Sequence, residues 1–213
     1  MKTTEYVETL WEVAHSRLFY DYVATLHSEE TDTFTIEVFE KVIIIMYNKT
    51  GYYAIAPIVN ENNTVDWVHV TGENYAFILT QHTMTRYIKR HLNKAFPDKH
   101  FDIRGKNYNE KIMMAINVIG NINEHCYFCE GISINPKYAD NVFVWTKDGL
   151  ITAVKFSEHS IKSTTFIAFE MLNREQLDIF YRIEDVLVQI GKLKKEGNKI
   201  IYPDGAYAIR GMG

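Results

Sequence analysis

Three short stretches hold the residue types that chemistry needs. The first is Thr80-Gln81-His82-Thr83-Met84-Thr85-Arg86-Tyr87-Ile88-Lys89-Arg90. If it is helical, steps of four place His82, Arg86 and Arg90 in one row, flanked by Lys89 and Asn93. A helix start at Thr80 would favour an anion beside His82. A phosphate held there by Arg86 would meet an imidazole able to move a proton. Phosphodiester transesterification needs an acid, a base and cationic stabilisation of charge, and no metal. The same row also suits the wet face of a surface helix.

The second stretch is His125-Cys126-Tyr127-Phe128-Cys129. Cys-x-x-Cys can give two zinc thiolates, but a closed structural site takes four ligands and the chain has only two Cys. The expectation is therefore two reduced cysteines and no metal. The third groups Lys155, Glu158, His159 and Lys162 near a strand-to-strand loop, where a histidine and a carboxylate could exchange a proton. A polar loop is also what two strands need between them. Glu5, Glu8 and Glu12 read as the acidic opening of a helix. The chain carries no Gly-x-Gly-x-x-Gly, P-loop, Gly-x-Ser-x-Gly or His-Glu-x-x-His, so no nucleotide or other cofactor is expected.

The elements that must position these residues are legible in the hydrophobic pattern. The 213 residues are 46% hydrophobic and 23% charged, enough for one folded domain, 1–213. Within it, 1–79 read as an N-terminal helix and β-meander. Residues 80–213 read as a helix-helix-sheet core with a C-terminal helix and hairpin. Apolar residues from Tyr6 to Leu26 predict one helix over 4–27. Strands are expected at 39–47, 52–59, 65–70 and 75–79, with turns at 48–51, 60–63 and 71–74. Helices follow at 81–95 and 109–119, the second apolar nearly all round and stopped by Gly120. Strands at 127–134, 141–146, 150–156 and 164–169 come next; Lys147-Asp148-Gly149 marks a hairpin. A helix over 173–195 and a hairpin across Pro203-Asp204-Gly205 close the chain. Helices and strands come in blocks, which predicts α+β with an antiparallel sheet. No internal repeat is visible.

Charge is unevenly spread. The net charge is −4, yet His82 to Lys106 holds seven Lys and Arg against two Asp, a local +5, leaving −9 elsewhere. Such a segment makes an anion-binding face on an acidic body. Nothing in the charge pattern points to DNA. The longest apolar run is Val42 to Met46, too short for a membrane span. With no apolar stretch behind Met1-Lys2-Thr3-Thr4-Glu5, a soluble cytoplasmic protein is expected.

The strand ending Phe77-Ile78-Leu79-Thr80, followed by His82-x-x-x-Arg86-Tyr87-x-x-Arg90, resembles a pattern in small toxin-like proteins of the RelE/barnase-type ribonuclease group of prokaryotes. Their core is two helices followed by a four-stranded antiparallel sheet, the order seen here over 81–119 and 126–169. The resemblance implies a metal-independent ribonuclease-like or RNA-binding function, in a prokaryote or its mobile elements. RNA or an antitoxin-like protein would be the partner. By position it adds Lys155, Thr164 and Thr165 to His82, Arg86 and Arg90 as site candidates. The alternative is a non-catalytic protein-binding module of a phage or mobile element. The many Tyr suit an interface, and equally a sheet.

Overall fold

The computed structural model describes residues 2–28, 35–47, 51–70, 75–103, 106–123, 126–129 and 141–210. The expected turns at 48–50 and 71–74, Arg104, His125 and the strand residues 130–134 lie outside them.

The first expected helix is two, α1 (Thr3–Ala14) and α2 (Arg17–Ser28). Ser16 makes the break. Its hydroxyl donates to the Val13 carbonyl and accepts from Phe19 N–H, which closes one helix and caps the next. A five-stranded meander follows: β1 (Thr35–Phe39), β2 (Val42–Tyr47), β3 (Gly51–Val59), β4 (Val65–His69) and β5 (Ala76–Leu79). β1 and β2 are separate strands, turned at Glu40, which adopts φ 51°.

α3 (Gln81–Tyr87) runs on through a π-helical stretch, Ile88–Leu92, into a last turn, α4 (Asn93–Ala95). α5 (Tyr108–Asn123) passes straight through Gly120, the residue expected to stop it. Gly120 faces the Tyr53 ring. The second meander is β6 (Cys126–Cys129), β7 (Asn141–Thr146), β8 (Gly149–Ser157) and β9 (Ser160–Ala168). α6 (Arg174–Gln189) ends before Gly191, whose φ of 74° suits a helix terminus. Lys194 and Lys195, expected to belong to it, instead open β10 (Lys194–Glu196), which pairs with β11 (Lys199–Ile201), itself paired with β12 (Tyr207–Ile209), in a small sheet.

The fold is α+β. Among the described residues its sheet has nine strands, in the order β1-β2-β3-β4-β5-β9-β8-β7-β6. Every pairing is antiparallel except β5 with β9, which is parallel and joins the two meanders. The sheet is therefore mixed at its centre. α3 and α5 cover one face, packing Met84, Tyr87, Ala115 and Ile119 on Ile45, Trp67, Ile151 and Phe166. The opposite face carries two cores. One is under α1 and α2 (Val7, Leu10, Phe19), the other under α6 (Phe180, Ile183) on Trp145 and Leu150. α5 is not buried all round, since Met113 is 44% exposed while Ile116 and Ile119 are buried.

This arrangement holds an internal duplication of topology. The first half is a helix pair, a five-stranded antiparallel meander and a helix; the second is one helix, a four-stranded antiparallel meander and a helix. A half-turn about an axis along β5 and β9 keeps their shared direction and exchanges the sheet faces. The helices obey it: α3 after β5 and α6 after β9 lie on opposite faces, as do α1 and α2 relative to α5.

Gly149, at the expected hairpin, has φ 152°, and a Cβ there would lie 2.1 Å from the Ile167 carbonyl oxygen. Gly149→Ala should destabilise the protein by about 2 kcal/mol or more. The control is Gly205→Ala, which shares a positive φ (83°) but has no atom within 4 Å of the added Cβ, so it carries the backbone strain without the clash. Comparing the urea midpoints of the two variants checks it; equal midpoints would disprove it.

Candidate functional site

The start of α3 is held from three sides. Thr80 caps it by accepting from Thr83 N–H. Thr80 N–H donates to Ser163 Oγ on β9 at 2.9 Å. Gln81 N–H donates to the buried Asp66 carboxylate of β4 at 2.9 Å, and Val65 N–H donates back to Gln81 Oε1 at 3.0 Å. Lys162 of β9 lies 3.5 Å from the other Asp66 oxygen. The underside of the helix is tied to the β7–β8 turn. Tyr87 OH and His91 Nε2 each lie 3.3 Å from Asp148 Oδ2. Burial pushes the Asp148 carboxyl up and pulls the His91 imidazole down from their ordinary values.

Two cavities open along this helix, and they share His82 and Thr85. One, of about 680 Å³, lies between α3 and the segment that follows it. His82, Arg86, Lys89 and Asn93 form one wall, and His100, Phe101, Asp102 and Ile103 form the other. Asn93 fixes that second wall: its amide donates to the Phe101 carbonyl at 3.1 Å and accepts from Phe101 N–H at 2.9 Å. The second cavity, of about 870 Å³, is bounded by the β3–β4 turn, Asp66, Gln81 and Lys162.

The structure thus brings His82 and Arg86 together with the flanking Lys89 and Asn93, and adds His100 and Asp102. His100 carries no periodic signal in the sequence, because it sits in an irregular segment placed by the Asn93 clamp. Arg90 is turned away, its Nη1 donating to the Phe166 carbonyl at 2.5 Å. Burial, and then the neighbouring Arg86 cation, pull its guanidinium below the ordinary value. Ile88–Leu92 is π-helical and departs from 3.6-residue spacing, so a step of four from Arg86 does not keep Arg90 in the row, while Lys89 and Asn93 line the groove. The face that lines the groove is therefore His82, Arg86, Lys89 and Asn93.

Lys155 and Thr165 are not gathered at His82. Lys155 Nζ sits 5.7 Å from the Tyr75 ring, before the start of β5, whereas His82 follows its other end. Five residues of strand span about 16 Å. Thr165 pairs with Thr152, which points away from the face that α3 covers. Thr164 donates to the Thr152 carbonyl on β8.

The other stretches have structural partners. Glu8 accepts from His159 N–H at 3.2 Å and lies 2.9 Å from its Nδ1, and Trp11 stacks on the imidazole. Burial pushes the Glu8 carboxyl up, but hydrogen bonds from Ser157 and His159 outweigh it and hold the group low. Cys129 is a free thiol that burial pushes up to about 11. His125 and the side chain of Cys126 lie outside the described residues, among which no His, Cys, Asp or Glu cluster could hold a metal ion. Among the same residues no helix is long and apolar enough to cross a membrane.

Comparison with protein-family models, with curated proteins and with solved structures finds no match.

Proposed function

We propose that the groove between α3 and residues 100–103 binds RNA and cleaves it without a metal, with His82 and His100 as the proton-transferring pair. One observation carries this reading: a single cavity of about 680 Å³ is walled by two histidines, Arg86 and Lys89, with Asp102 as its one carboxylate among the described residues. Two-metal phosphodiester chemistry wants several carboxylates. Acid–base chemistry wants what is here. One histidine takes the proton of the ribose 2′-hydroxyl as its oxygen attacks phosphorus. The bond from phosphorus to the 5′-oxygen breaks, and the other histidine protonates that oxygen. A 2′,3′-cyclic phosphate and a free 5′-hydroxyl result. Arg86 and Lys89 stabilise the charge that gathers on the phosphoryl oxygens.

Fluorescence anisotropy with short single-stranded RNAs tests the binding half. Affinity should fall steeply with salt. Arg86→Ala should weaken all sequences alike, about threefold to tenfold, and flatten the salt dependence, because a phosphate contact carries no base information. Wild-type protein that binds no RNA at low salt would overturn the proposal. A protein-binding role would then take its place, favoured by edge strand β1, where Ile36 and Val38 are 43% and 59% exposed. An extended partner segment could pair with that edge.

A further inference from the structure

The larger cavity differs from the groove in charge and in hydrogen-bonding character. Its walls include Glu61 and Asp66 against Lys162, a formal −1, whereas the groove has Arg86 and Lys89 against Asp102, a formal +1 before its histidines are counted. A phosphate belongs in the groove. The larger cavity, opening from the same His82, suits the uncharged part of a nucleotide.

The orientation of its amides follows from backbone donors. Val65 N–H can only donate, so the Gln81 atom facing it is the oxygen. The Gln81 NH₂ is left as a donor on the cavity wall. Thr64 N–H likewise fixes Asn62 Oδ1 at 3.2 Å, and the Thr64 hydroxyl donates to the same oxygen at 2.6 Å. The NH₂ of Asn62 is left in the same way. Lys162 offers further N–H donors beyond its contact with Asp66. The Asp66 oxygens are already engaged by Gln81 N–H and Lys162. Glu61 and Asn60 Oδ1 (the Asn60 NH₂ donates to the Thr64 hydroxyl) put acceptors on the same wall, so its amide donors suit carbonyl oxygens and its acceptors a neighbouring ring N–H. Guanine presents O6 and N7, and uracil its two carbonyl oxygens; adenine and cytosine present an amino donor in the corresponding place.

We infer that this cavity is a base subsite that holds the nucleoside next to the phosphate at His82 and selects guanine or uracil. The inference rests on the RNA-cleaving reading of the groove. Gln81→Glu and Asn62→Asp test it, since each keeps the acceptor oxygen that the backbone needs and removes the NH₂ donor. The measurement is an NMR titration with the four nucleoside 3′-monophosphates, run beside an RNA-cleavage assay. Wild type should bind the guanosine and uridine nucleotides about tenfold more tightly than the other two. Each variant should lose that preference while keeping its melting temperature within a few degrees.

Equal affinity for all four nucleotides with RNA cleavage intact would overturn the subsite and leave the groove reading standing. A preference unchanged in both variants would overturn it as well. Keto-selective binding without cleavage would support the subsite and overturn the catalytic reading. Binding of none of the four would overturn the subsite, and absence of RNA cleavage in the same preparation would overturn the groove reading as well.

Discussion

His82→Ala and His100→Ala should each slow RNA cleavage by at least about a hundredfold while leaving RNA affinity within about twofold of wild type. Both side chains are exposed, and among the described residues neither is engaged by a carboxylate, so truncation should leave the fold intact. Phosphate attraction stays with Arg86 and Lys89, which is why binding should survive. The double variant should be little worse than either single one, because an acid and a base that act in one transition state are not additive. EDTA should change neither rate nor affinity. Cleavage that persists unchanged in His82→Ala, or that EDTA abolishes, would remove the catalytic role assigned to this groove. Loss of cleavage in His82→Ala alone would leave the second proton-transferring role without its proposed residue.

The fold was legible where periodicity and turn chemistry agreed. The amphipathic stripe from Met84 to Leu92 and the Lys147-Asp148-Gly149 hairpin both stand in the structure. Breaks made by single polar or unusual residues were not legible. Ser16 parts α1 from α2 without a Pro or Gly, and the apolar spacing continues across it. Glu40 turns the chain between β1 and β2 in a left-handed conformation that usually calls for Gly or Asn. The parallel contact of β5 with β9 joins residues about eighty positions apart and leaves no local trace. The duplicated topology was invisible for a related reason: a half-turn that exchanges sheet faces constrains which residues are buried, not which residue types repeat.

At the candidate site, helix periodicity reached only half of the groove. It put His82 and Arg86 on one face. The opposite wall depends on Asn93 binding Phe101, a tertiary contact no spacing rule supplies. Thr165, named by position from the resemblance, is not at the site for a definite reason. The register of β8 with β9 shifts between Thr152 and Ala153, leaving Thr164 as an extra residue. One extra residue reverses which side chains face a given side, and so Thr165 lies opposite the face that α3 covers.

Arg210→Ala should destabilise the protein by about 3–5 kcal/mol at neutral pH, a large share of a typical 5–15 kcal/mol. The Glu184 side chain on α6 is 3% exposed. Arg210 meets it through three hydrogen bonds, at 2.7, 3.0 and 3.3 Å, and donates a fourth to Tyr202 OH. Its guanidinium also lies over the rings of Phe169 and Phe180. Burial already pushes the Glu184 carboxyl up, and Arg210 pulls it partly back. Without Arg210 the carboxylate stands in an apolar core, and its folded-state pKa rises further above the unfolded value. A group raised in this way favours the folded state while it is protonated and loses that contribution as pH climbs through the folded pKa. The deficit of Arg210→Ala should therefore be smallest in acid and grow toward neutral pH. Adding Glu184→Gln to Arg210→Ala should recover part of the loss and abolish its pH dependence, because a neutral amide is far less costly to bury than an unpaired charge. Urea unfolding at pH 5 and pH 8 measures all of this. A loss under about 1 kcal/mol, equal at both pH values, would show that the Arg210–Glu184 pair does not hold α6 and the β10–β12 sheet to the core as its burial indicates.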